Sequence, residues 1–168
     1  SKEIVAGNAH LYAWGWNGIE LRDDDGDPQT WGVFASEIQI ITGALALGEL
    51  DPASPGFEVF VASWDDTNKA FAVRGDGSFL PGWPRNPDPT TPQKGYWAGS
   101  AAVDVDGDGR AELFAPAKNG NFYAWRWNGA PLGASAAFKT GLGTYSRCAP
   151  SFANLDGDPE KEIVYGAP

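Results

Sequence analysis

The stretch "DVDGDGRAE", residues 104–112, sets carboxylates at alternate positions around two glycines. Asp104, Asp106 and Asp108 take positions 1, 3 and 5 of a loop, and Gly107 and Gly109 permit the tight backbone path that turns such side chains inward. Arg110 at position 7 can offer its carbonyl oxygen, and Glu112 at position 9 returns as the last carboxylate. A flexible, all-oxygen donor set suits Ca²⁺ better than Mg²⁺, which demands stricter octahedral geometry. The lack of Cys and His among the donors speaks against zinc. An EF-hand is excluded, because it needs Glu at position 12, where Ala115 stands, and helices on both sides.

A second loop repeats the spacing with Asn154, Asp156, Asp158, the carbonyl of Glu160, and Glu162. A third, at 49–58, is a degraded copy. Glu49 and Asp51 fit positions 1 and 3, but Ala53 fills position 5 and Glu58 arrives one residue late. The expectation is two structural calcium sites, with the third loop a poorer candidate. "DDDGD" (23–27) has similar spacing but Trp31 at position 9 and a different phase, so it reads as a solvated loop.

These loops belong to a larger repeat. Acid-led runs open at Glu3, Glu58, Glu112 and Glu162, at separations of 55, 54 and 50 residues. Aromatic runs ending in a glycine turn follow at 11–18, 70–77 and 122–129. Short β-type runs bounded by Gly, Pro, Asn and Asp fill each unit, and even "SEIQIITGALALGEL" (36–50) reads as strand, turn, strand. A period near fifty with about four strands predicts β-propeller blades, with a β-sandwich second. The expected fold is therefore all-β: one segment, 1–168, of about three four-stranded antiparallel blades, with repeats near 3–57, 58–111 and 112–161. Residues 162–168 open a further repeat. Three blades are too few for an ordinary ring, so the segment is either part of a larger propeller or assembles with copies of itself.

"AAVDVDGDGRAELFAPAKNGNFYAW" (101–125) and "SFANLDGDPEKEIVYGA" (151–167) resemble the FG-GAP/VCBS repeat family, the calcium-loop blades of integrin-α-like propellers and of many secreted bacterial proteins. The resemblance implies calcium between the two inner strands of a blade, with Glu112 and Glu162 as the closing acids. It implies a mostly non-enzymatic role in adhesion, carbohydrate binding or scaffolding, outside the cell or at its surface. It leaves two alternatives: part of a calcium-dependent polysaccharide lyase, or a self-assembling half-propeller.

Composition narrows the partners. A net charge of −10 argues against nucleic acid, and no run of about 18 apolar residues offers a membrane span. No signal peptide stands in this chain. With a single histidine, His10, in a strand-like run, a Ser-His-Asp triad is not expected, and the lone Cys148 excludes an intrachain disulfide. Of eight tryptophans, Trp14 and Trp125 recur in phase, as do Trp16 and Trp127, which favours structural duty. Trp31 and Trp97, in variable stretches, are the candidates for a glycan- or protein-binding surface. "RGD" (74–76) aligns with glycine turns elsewhere and reads as a hairpin turn.

Overall fold

Strands buried on both faces are apolar at every position, whereas half-exposed strands alternate. Both patterns occur in the computed structural model, which describes residues 2–64, 69–86, 95–96, 98–143 and 147–166. The protein is all-β, with no helix among these residues. Among the described residues, four antiparallel sheets follow one another along the chain. The first holds β1 (Glu3–Gly7), β2 (His10–Gly15) and β3 (Val33–Gln39). The second holds β4 (Ala46–Gly48), β5 (Glu58–Ala62) and β6 (Ala70–Val73). The third holds β7 (Ala101–Val103), β8 (Glu112–Pro116) and β9 (Phe122–Trp125), and the fourth β10 (Ser151–Ala153) and β11 (Glu162–Val164). The stretch 36–50 forms strand, turn and strand, as its β-branched "IQII" and Thr42-Gly43 suggest.

Among the described residues the sheets have three, three, three and two strands, not four each. In the second and third, the expected outer strand touches its neighbour only at isolated bridges. These are Val73 with Phe79 and Ala70 with Arg85, then Trp125 with Pro131 and Phe122 with Lys139. Proline cannot donate to a ladder, and Pro81, Pro84 and Pro131 lie in these stretches.

The core lies between sheets. Strands β5, β6, β8 and β9 are buried throughout, and their residues alternate between two neighbours. Val59, Phe71 and Val73 pack on Leu11, Ala13 and Phe34 of the first sheet. Phe60, Ala70 and Ala72 pack on Leu113, Tyr123 and Trp125 of the third. Phe114, Phe122 and Ala124 meet Phe152 and Ile163 of the fourth. The second and third sheets thus present one set of positions to the sheet before and another to the sheet after. Phe60 meets Trp125 edge-on, with ring centroids 6.0 Å apart, a favoured aromatic geometry.

The three acidic loops join β4 to β5, β7 to β8 and β10 to β11, the first two strands of the second, third and fourth sheets. They line one edge of the stack and are tied in sequence. The Ala111 N–H donates to the Glu49 carbonyl (2.7 Å), and the Arg110 guanidinium reaches the Leu50 carbonyl (3.4 Å). Lys161 Nζ donates to the Asp104 carbonyl (2.8 Å).

Candidate metal centres

Asx side chains cap nearby backbone N–H groups in tight turns, and this builds the loop at 104–112. Asp104 accepts from the Gly107 N–H at 2.6 Å and the Gly109 N–H at 3.0 Å. Asp106 accepts from the Asp108 N–H at 3.3 Å, and Asp108 from the Arg110 N–H at 2.8 Å. Gly107 and Gly109 have φ of 78° and 86°, the left-handed region where a side chain is strained. Oxygens of Asp104, Asp106 and Asp108 lie within 4.8 Å of one another. Glu112 closes the loop from the start of β8, accepting the Val105 N–H at 3.0 Å while only 1% exposed.

The loop at 154–162 is built the same way. Asn154 accepts from the Gly157 N–H (2.6 Å), Asp156 from the Asp158 N–H (3.2 Å), and Asp158 from the Glu160 N–H (2.9 Å). Glu162 accepts from the Leu155 N–H at 2.6 Å. Here the converging oxygens are those of Asp156, Asp158 and Glu162. Arg110 and Glu160, expected at position 7, supply these backbone donors, and the Arg110 side chain turns away to lie over the Trp127 ring at 4.2 Å.

The chemistry is electrostatic. Burial pushes the Glu112 carboxyl above its usual range; the Val105 N–H opposes this, while the charges of Asp106, Asp108 and Asp104 add to it. A donor set of clustered carboxylates without sulfur or imidazole fits a hard divalent cation.

The loop at 49–58 differs. Glu58 is 1% exposed and accepts from both the Leu50 and Asp51 N–H groups, at 2.9 and 3.2 Å. Asp51 is held by Arg74 at 3.1 Å, and that hydrogen bond is the main reason its carboxyl lies below the usual range. Glu49, Asp51 and Glu58 do not converge as the acids of the other two loops do. One carboxylate oxygen each of Glu49 and Glu58 is buried without a hydrogen-bond partner among the described residues.

Sequence reasoning missed the arginines. Arg126 pairs with Asp106 at 3.1 Å, as Arg74 pairs with Asp51. The signal was present in register, since both arginines take the same place in the aligned runs "AFAVRGDG" and "FYAWRWNG". "RGD" forms a turn in which Arg74 also donates to the Phe79 carbonyl and Asp76 caps the Ser78 N–H. In "DDDGD", Asp23, Asp25 and Asp27 each cap a backbone N–H of their own loop. Trp125 is buried between sheets, whereas Trp16 is 73% exposed. Trp31, 72% exposed, borders a pocket of about 230 Å³ with Glu20, Asp23, Asp27 and Pro28. Trp97 lies outside the described residues.

Residues 57–115 match the family model of the FG-GAP-like repeat, a span that contains the whole loop at 104–112. No curated protein matches the chain. The chain therefore carries an FG-GAP-like repeat, running from the start of β5 through the acidic loop into β8.

Proposed function

We propose that the chain is a non-catalytic binding or scaffold module of propeller type, working outside the cell and stabilised by calcium. The observation that carries this reading is a carboxylate cage drawn twice, at 104–112 and 154–162, with matching backbone caps and a closing glutamate. Asp104, Asp106, Asp108 and Glu112 would hold one ion, and Asn154, Asp156, Asp158 and Glu162 another. The carbonyls of Arg110 and Glu160 complete the sets. Calcium supplies the positive charge that relieves repulsion among the acids, so it locks the inner strand pairs of the third and fourth sheets. The loop at 49–58 adds no third ion in this reading, because Arg74 already takes up Asp51. Trp31, with its carboxylate-lined pocket, is the surface offered to a glycan or protein ligand.

A ligand that binds only the folded state, at a hundredfold its Kd, adds about 2.7 kcal/mol of stability. At about 2–4 °C per kcal/mol for a chain of this size, excess chelator lowers the melting temperature by several degrees and added calcium restores it. Titration calorimetry gives two sites, and Asp108→Ala and Asp158→Ala each remove one. A melting curve indifferent to both chelator and calcium would overturn the calcium reading. Turnover of an acidic polysaccharide would overturn the non-catalytic one.

A further inference from the structure

Arg74 and Arg126 hold the same place in two hairpins. Arg74 follows Val73 at the end of β6, and Arg126 follows Trp125 at the end of β9. Each backbone N–H donates across its turn, to the Ser78 and Ala130 carbonyls, both at 2.8 Å. Each carbonyl accepts from a turn glycine, from Gly77 at 2.9 Å and from Gly129 at 2.8 Å. The two guanidinium groups therefore leave like positions and meet like acids. These are Asp51 and Asp106, at position 3 of their loops, each at 3.1 Å.

The two pairs differ in how firmly they are held. Arg74 has a second anchor, since its Nη1 donates to the Phe79 carbonyl at 3.1 Å, and the side chains of its pair are 23% and 17% exposed. Its loop has Ala53 at position 5, where the other loops carry an aspartate. Arg126 reaches Asp106 through Nη1 alone, in a pair whose side chains are 44% and 40% exposed. The other oxygen of Asp106 accepts from the Asp108 N–H at 3.3 Å, so both of its oxygens are engaged. A guanidinium this close to one corner of the cage puts positive charge beside the place a divalent cation would take, and the two repel.

We propose that Arg126 is a displaceable counter-ion for the loop at 104–112: it holds Asp106 while no cation is bound and gives it up when one enters. Arg74, doubly anchored, is the permanent counter-ion of the loop at 49–58. The inference rests on the calcium reading and concerns what sets the affinity of one of its two sites. An interaction made only by the ion-free state weakens ion binding by as much as it stabilises that state. An exposed ion pair contributes little, so Arg126 adjusts the affinity modestly.

The test is calcium titration calorimetry on the 168-residue chain, joined to melts in chelator and in saturating calcium, with circular dichroism to confirm folding. Arg126→Gln tightens one of the two sites by about two- to fivefold and leaves the other unchanged. The same variant melts below the parent in chelator and level with it in saturating calcium, because the ion restores the charge that the guanidinium supplied. Arg126→Lys, which keeps the charge, stays near the parent's affinity. Arg74→Gln melts lower by the same interval in both media, since its loop takes no ion. Two sites in the parent, with unchanged or weakened affinity in Arg126→Gln, would overturn the proposal and leave the calcium reading standing. So would an Arg126→Gln melting deficit of equal size in both media. A parent chain that takes up no calcium would overturn both.

Discussion

Glu112 sits at the start of β8, out of water and within the field of Asp104, Asp106 and Asp108. Its raised pKa makes the ionised form costly in the folded, ion-free protein. The folded state therefore binds this proton more tightly than the unfolded state. The resulting stability is fully present below the unfolded pKa and is lost as pH rises through the raised folded value. In chelator, acidification across that interval stabilises the protein at this group, and Glu112→Gln removes that pH dependence. At neutral pH the same variant melts higher than the parent in chelator and binds calcium more weakly. Melts against pH, paired with calorimetry, check both signs; a variant that melts lower in chelator would contradict the account. This glutamate was legible in the sequence, since its position 9 recurs at Glu162. The pairing of Arg126 and Arg74 with their aspartates was marked only by their shared place in the aligned runs, because they reach those aspartates from some twenty residues downstream, brought near by strand pairing.

Elements carry the next layer of specificity. "AFAV" throughout and "EVFVA" after its leading Glu58 are apolar because each strand faces a sheet on both sides, and the structure buries all nine residues. That continuous pattern made the strands readable. The outer strands were less legible, because a period near fifty leaves room for four strands while the outer stretches, with Pro81, Pro84 and Pro131 in them, pair only at isolated bridges. The cost of a substitution should follow the same division. Phe60→Ala opens the joint between the second and third sheets and removes the edge-on contact with Trp125, at a cost of about 3–5 kcal/mol. Trp31→Ala, on a side chain 72% exposed, should stay within about 0.5 kcal/mol of the parent. Urea denaturation of both variants checks the contrast, and similar losses at the two sites would show that the core was misplaced.

At the scale of the molecule, the sheets stack in chain order and each core cluster joins only neighbours. Stability in such a stack is a sum of units and joints. Amide exchange should be slowest in β5, β6, β8 and β9 and fastest in β10 and β11. A uniform rate across all four sheets would indicate one global unit instead. The order of sheets followed from the repeat, whereas which face met which neighbour came only from the register. The acidic loops, tied end to end along one edge by Lys161, Arg110 and the Ala111 amide, have a consequence before any cage is filled. A line of carboxylates on a chain of net charge −10 gathers counter-ions from solution as a ridge, not as separate points. Cation capture should therefore be fast in dilute buffer and slow steeply as added salt shortens the reach of the ridge's field to about 10 Å at 0.1 M, a dependence that stopped-flow mixing would read directly.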